Sequence, residues 1–62
     1  MRNLCARVLT TFPVEVGSQT FVFEWDDDEV KGPQFSITVP KHLLPILADG
    51  DEVQIGIVRA VK

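Results

Sequence analysis

The chain has few of the residues that build catalytic and metal sites: its 62 residues include one cysteine, one histidine and no tyrosine. Because Cys5 is alone, an intramolecular disulfide and a zinc site built from several cysteines are both excluded. An unpaired thiol is typical of a reducing compartment, so we expect a cytoplasmic location. Long apolar runs are also lacking, since no segment approaches the roughly 18 residues of a membrane span and residues 1–12 contain no signal-peptide core. We therefore expect no contact with a membrane.

Basic residues are in the minority, with six Lys and Arg against nine Asp and Glu, for a net charge of −3. Nucleic-acid-binding domains usually present a basic face, so we do not expect nucleic acid as a partner. Five of the acidic residues lie between positions 24 and 29, and three more lie between 49 and 52. If the first and last strands pair, we expect an acidic loop end and a mildly basic edge formed by Arg2, Arg7, Arg59 and Lys62.

Alternating apolar residues and β-branched side chains predict short strands. The segments with this pattern are 3–11, 14–16, 19–25, 34–39 and 52–60. Pro13 ends or bends the first, because proline lacks the N–H that a ladder needs. Gly17-Ser18 is predicted as a two-residue hairpin loop, with Gly17 at positive φ. In the last strand we expect Val53, Ile55 and Ile57 to point inward.

The segment Lys41–Ala48 is apolar at Leu43, Leu44, Ile46 and Leu47, with a spacing that resembles a helix. Pro45 limits that helix, so we expect one 3₁₀ turn or a short helix beginning near Leu44. Asp49-Gly50 is a turn signal. Residues 1–62 are thus predicted to form one all-β domain with one short helical turn: a small five-stranded, partly open barrel, SH3-like or OB-like.

Five aromatic residues have two interpretations. At a spacing of two, Phe21, Phe23 and Trp25 share one face of the third predicted strand, which favours packing in the core. Together with Phe12 and Phe35 they could instead form a stacking platform for single-stranded nucleic acid. That binding mode also needs a basic groove, and the abundant acidic residues oppose it. Core packing is therefore the favoured interpretation.

The candidate binding site is the acidic run that follows the aromatic strand: Trp25, Asp26, Asp27, Asp28 and Glu29. It is interpreted as a solvated turn, as an acidic patch that docks a protein or mimics phosphate, or as a site for Ca²⁺ or Mg²⁺. The spacing does not match an EF-hand loop, which needs a glycine at its sixth position and a glutamate at its twelfth. Consecutive side chains on an extended strand also point to opposite sides. No metal site is therefore predicted here.

Catalytic groups are not apparent. His42 could serve as a base or a ligand, but catalysis needs a partner, and pairing with Cys5 would require a long-range contact that the sequence does not indicate. We expect His42 to be a surface residue beside Lys41, and Cys5 to be a small buried apolar side chain. We predict neither an enzyme nor a bound cofactor.

The second half of the chain resembles two families. The order Val39-Pro40, Leu43-Leu44-Pro45 and Gly50-Asp51 is similar to that in very short bacterial β domains of unknown function. That resemblance covers Phe21 to Ile57 and implies a small β-barrel with no activity to transfer.

The same region also resembles the AbrB-like and MazE-like swapped-hairpin transcription factors and antitoxins. This second resemblance is carried by Ile37, Pro40, Lys41, Leu44, Leu47, Gly50, Asp51 and Val53. It implies an intertwined dimer that binds DNA through basic loops, whereas the corresponding loop here is Asp-Asp-Asp-Glu. The favoured function is a non-enzymatic adaptor that binds another protein, with self-association left open. The alternative is a dimeric DNA-binding regulator or antitoxin.

Overall fold

The computed structural model describes residues 3–44 and 46–61, and in these residues the protein is all-β. Its strands are β1 (Leu4–Pro13), β2 (Ser18–Trp25), β3 (Phe35–Pro40) and β4 (Glu52–Ile55). They form one antiparallel sheet in the order β3-β2-β1-β4. The first and last strands pair, with Ala6 opposite Val53. Nothing within the described ranges is helical, so no helix there spans a membrane.

One face of the sheet carries the core. Ala6, Val8, Phe21 and Phe23 are buried, and their cross-strand partners lie on the same face because opposed residues in an antiparallel pair point the same way. The rings of Phe21, Phe23, Phe35 and Trp25 form a row, with successive centroids 6.3, 5.2 and 4.6 Å apart. Packing in the core is therefore confirmed for this row.

Phe12 does not belong to that row. It pairs with Thr20 on the other face of the sheet, where it is exposed. Thr20 is the buried polar residue of that face, and its hydroxyl lies 2.8 Å from the hydroxyl of Thr38.

The prediction of five strands closing a barrel differs from the observed sheet, which is open and has four strands in the described residues. The segment 14–16 is not a separate strand, because β1 continues through Pro13 and the chain then turns. Pro13 is tolerated as the last residue of the strand, opposite Gln19. The bend occurs instead at Leu9, where the register shifts between Val8 and Thr10 as a β-bulge.

The β1–β2 connection is longer than the predicted two residues. The N–H of Ser18 donates to the carbonyl of Glu15 at 3.1 Å, closing a four-residue turn. Gly17 has φ +86° and occupies its third position, where a type II turn requires positive φ. The expected positive φ of Gly17 is thus confirmed, although the loop type is wrong.

The last strand is shorter than predicted, because its pairing ends at Ile55 opposite Leu4. Val53 and Ile55 pack against the core as expected. The expectation that Ile57 points inward is wrong. Ile57 lies in segment 56–61 (the tail), which follows β4, and it is 63% exposed.

The segment 41–51 crosses the apolar face and returns the chain to β1. The N–H of Leu43 donates to the carbonyl of Pro40 at 3.1 Å, so the expected helical turn is a single hydrogen-bonded turn rather than a helix. The predicted role of Pro45 concerns a residue outside the described ranges. Leu44 and Leu47 pack on the core, whereas Leu43 and Ile46 are exposed.

Candidate functional site: the acidic loop

The acidic loop, residues 26–34, connects β2 to β3 and is anchored at both ends by aromatic rings. Trp25 ends β2 and Phe35 begins β3, and their ring centroids are 4.6 Å apart. Gly32 lies against the Trp25 indole, since a Cβ atom there would be 3.5 Å from the indole nitrogen. Trp25 is thus half-buried at the start of the loop, between Phe35 and Gly32.

The acidic residues themselves form a tight turn. The Asp27 carboxylate accepts a hydrogen bond from the N–H of Glu29 at 3.0 Å, and the Asp27 carbonyl accepts one from the N–H of Val30 at 3.1 Å. An Asp side chain that bonds the backbone two residues ahead is a common way to stabilise a turn. The turn leaves the side chains of Asp28 and Glu29 exposed.

Asp26 is held on the sheet by two contacts. Its N–H donates to the Cys5 carbonyl at 2.9 Å, and its carboxylate accepts a hydrogen bond from Arg7 Nη2 at 2.9 Å. It therefore fixes the start of the loop on β1. Of the five predicted site residues, Trp25 and Asp26 lie where the loop leaves β2. The other three, Asp27, Asp28 and Glu29, belong to the turn.

Arg7 connects the two acidic regions of the sequence. Its Nη1 lies 3.1 Å from Glu24 of β2, and its Nε lies 3.2 Å from Glu52 of β4. With Asp26, three carboxylates surround one guanidinium group. The β pairing produces this cluster, because Arg7 lies opposite Glu24 on one side and opposite Glu52 on the other.

The charge of Arg7 is reinforced by these neighbours. The hydrogen bond to Glu52 is the largest cause that raises the Arg7 pKa, followed by the negative charges of Asp26 and Glu52. Desolvation acts in the opposite direction and is outweighed. Arg7 therefore stays charged throughout the physiological range. Because three carboxylates surround it, Arg7 does not contribute to the predicted basic edge. Arg2 and Lys62 of that edge are outside the described residues.

The site as a whole remains negative, since one positive charge at Arg7 opposes three carboxylates and the turn adds more. Nowhere in the described part of the chain do three or more His, Cys, Asp or Glu side chains form a group that could hold a metal ion. The described site is thus a negatively charged surface whose side-chain contacts include the ion pairs of Arg7 and the hydrogen bond that Asp27 accepts.

Cys5 and His42 are far apart. Cys5 lies beside the β1–β2 pairing that ends at Trp25, whereas His42 follows Pro40, which pairs with Ser18 at the other end of β2. Seven residue steps along a strand span roughly 23 Å, so the two side chains cannot act as a nucleophile and base. His42 is exposed as expected, while Cys5 is half-buried rather than buried.

Two cavities lie on the apolar face, on either side of Leu44 and Leu47. The first, of about 340 Å³, has a polar side formed by Thr11, Gln19 and Lys41. The second, of about 360 Å³, is almost wholly apolar and is lined by Phe35 and Ile37 of β3 and by Val53 and Ile55 of β4. Residues of both edge strands thus reach the same cavity.

Sequence reasoning did not identify Arg7 as the centre of the site. A usable signal exists, because Arg7 lies on the less apolar side of the first strand and Glu24 lies on the less apolar side of the next. The alternation of apolar and polar residues does not determine the register of the strand pair, and the register decides whether two such residues are opposite each other. No family model, curated protein or solved structure matches this chain.

Proposed function

We propose that this protein is a non-enzymatic adaptor that binds another protein through the acidic loop, in the cytoplasm. The observation that carries the proposal is the Arg7 cluster with the turn above it. It gathers carboxylates from three segments of the chain, and the Asp28 side chain of the turn is exposed to solvent.

Electrostatics indicate the kind of partner. A surface with excess negative charge attracts a positively charged surface, raises the rate of encounter and disfavours acidic partners. Trp25 packs with Phe35 on the apolar face, and the Arg7 cluster lies on the opposite face. We infer a partner that presents Lys or Arg residues to the carboxylates.

A small, partly open barrel of the SH3-like or OB-like kind is the fold proposed for this adaptor. In a flat sheet, the two edge strands of four would be roughly 14 Å apart. Residues of β3 and β4 instead line one cavity of about 360 Å³. The shared cavity supports a sheet that curls toward closure, as in the short β domains that the second half of the chain resembles.

The DNA-binding alternative has less support. Duplex binding relies on neutralisation of phosphates by Lys and Arg. The loop between β2 and β3 carries Asp26, Asp27, Asp28 and Glu29, and the nearby Arg7 is already paired with carboxylates. The adaptor function is therefore the better supported of the two.

The test uses the whole chain as bait in a cell extract, with cross-linking at low and at physiological salt. We expect wild type to recover one or more basic proteins, with yield falling as salt is raised. An Asp28→Lys variant reverses one exposed charge of the turn and should lose most of this yield.

The matched control is Asp49→Lys, which makes the same change at another exposed aspartate, in the turn before β4. It should retain wild-type recovery. Recovery of nucleic acid alone, or equal loss in both variants, would overturn the proposal.

A further inference from the structure

The tail has the sequence pattern of a strand but no strand partner. The alternation of Val53 and Ile55 continues to Ile57, and Ile57, Val58 and Val61 are large apolar side chains that are mostly exposed. The ladder with β1 ends where Leu4 meets Ile55, and no pairing of the tail with any described residue is present. Three exposed apolar residues in one short segment mark an interaction surface.

The tail continues from an edge strand whose outer side is free in the described structure. Val8 N–H donates to the carbonyl of Asp51, which makes Asp51 a hydrogen-bonded partner of β1. In an antiparallel ladder such pairs alternate, so the N–H and C=O groups of Glu52 and Gln54 point away from β1. A free edge of this kind is a template for another strand.

The chain exposes more surface than a compact protein of its mass. Its accessible surface is 4873 Å², whereas a compact protein of 6.9 kDa exposes about 4000 Å². The excess of roughly 900 Å² is close to the ~800 Å² that each partner buries in a standard interface. The radius of gyration, 12.7 Å, also exceeds the roughly 10.6 Å expected for 62 residues.

Charge favours a second copy as the occupant of this edge. Residues 56–62 contain Arg59 and Lys62 and no acidic residue, whereas residues 1–55 contain all nine acids and four bases, for a net charge of −5. A basic tail laid along the edge strand of another copy therefore approaches an acidic body. Asp51 immediately precedes that strand and Glu52 begins it.

We propose that two copies of this chain pair antiparallel through the outer edge of β4, and that the tail becomes an extension of that strand in the dimer. The arrangement is two-fold symmetric and closes on itself. It joins the two sheets into one, with their apolar faces on the same side. The sequence-based strand 52–60 then forms only when the second copy supplies its partner.

The hydrogen-bonding pattern follows from the edge geometry. Even-numbered residues of β4 point their N–H groups outward, so Gln54, Gly56 and Val58 donate to the partner, while Arg59 points away from it. Side chains of the odd-numbered residues, including Ile55 and Ile57, extend the apolar face across the junction. A dimer formed by stacking the apolar faces would not give this alternation of bonded and unbonded N–H groups.

Sedimentation analysis and amide hydrogen exchange on the full chain, from ~10 µM to ~1 mM, test the proposal. We expect a dimer, with exchange at Gln54, Gly56 and Val58 slowing as concentration rises and Arg59 remaining fast. Ile57→Ser should raise the dimer dissociation constant by at least about tenfold, because each copy loses a buried apolar side chain. The matched control Val16→Ser changes a fully exposed apolar residue in the β1–β2 turn and should leave the constant unchanged.

A monomer at all concentrations would overturn the proposal, and so would a dimer whose tail amides remain uniformly fast. Equal weakening by Ile57→Ser and Val16→Ser would also overturn it. None of these results bears on the acidic loop, which Asp28→Lys tests on a different surface.

Discussion

Arg7 shows how one side chain can organise a charged surface. Its guanidinium group is planar and has five N–H donors, which allows it to contact three carboxylates from different directions. Each pair is partly exposed, with 40% of the Arg7 side chain accessible, so each ion pair alone stabilises the fold weakly. Their shared partner matters more, because without it Glu24, Asp26 and Glu52 would repel one another.

Replacing Arg7 by methionine should therefore lower the melting temperature by a few degrees. The change keeps an unbranched apolar stem and removes the charge that three carboxylates share. Because the pKa of Arg7 is raised, its stabilising contribution is fully present below its ordinary pKa and would be lost only as the pH rises through the folded value. The difference between variant and wild type should then stay constant from about pH 7 to pH 10 in thermal melts.

Arg7→Lys is the control that separates the charge of Arg7 from the arrangement of its N–H donors. It retains one positive charge, but an ammonium group cannot reach three separate carboxylates with fixed donors. We expect a melting temperature between those of Arg7→Met and wild type. Equal stability of all three proteins would show that the cluster does not hold the acidic loop on the sheet.

At the scale of elements, the turn before β4 decides how that strand joins the sheet. The N–H of Asp51 donates to the carbonyl of Ala48 at 3.0 Å, and Gly50 has φ +90° at the third position of this turn. Gly50 N–H then donates to the carbonyl of Val8 at 2.7 Å. The turn thus places β4 directly on β1, beside the bulge at Leu9.

Gly50→Ala should destabilise the protein by about 1 kcal/mol, because only glycine adopts this positive φ without strain. A Cβ atom at position 50 meets nothing within 4 Å, so the cost comes from the backbone alone. Urea unfolding measures it.

Gly32→Ala is the matched control, since Gly32 is not at positive φ and its added Cβ would make an ordinary 3.5 Å contact with the Trp25 indole. It should change the free energy of unfolding by less than about 0.5 kcal/mol. A loss as large as that of Gly50→Ala would mean that the effect is not due to φ.

The strands were largely predictable from alternation, because residues such as Phe21 and Phe23 repeat at the period that a half-buried sheet requires. The ends of the strands were not predictable in this way. The alternation of Val53 and Ile55 continues through Ile57, yet only pairing with β1 makes a strand, and that pairing stops at Leu4. The alternation within the last strand does not show how far its partner strand β1 extends.

The candidate site was predictable in part for the same reason. The acidic run and the aromatic anchor Trp25 are contiguous, so composition alone identifies them. Arg7 is separated from Glu24 by 17 positions and from Glu52 by 45, and their contact depends on the register of two strand pairs. Register is a property of the assembled sheet.

At the scale of the whole molecule, the fold has a small core for its length. Within residues 3–44 and 46–61, four hydrophobic residues are buried, and Leu44 and Leu47 cover the apolar face while leaving a cavity on each side. A chain this short buries only about 60% of its unfolded surface even when compact. A partner that binds only the folded form would therefore add substantially to its stability.

The melting temperature should consequently depend on protein concentration. If two chains pair through β4 and its tail, unfolding is coupled to dissociation, and the folded dimer gains as concentration rises. With an unfolding enthalpy of about 0.7 kcal/mol per residue, a tenfold increase in concentration should raise the melting temperature by about 5 °C. Calorimetry at several concentrations measures this slope. Ile57→Ser should flatten it and Val16→Ser should preserve it, whereas a melting temperature independent of concentration in wild type would show that the open sheet is stable as a single chain.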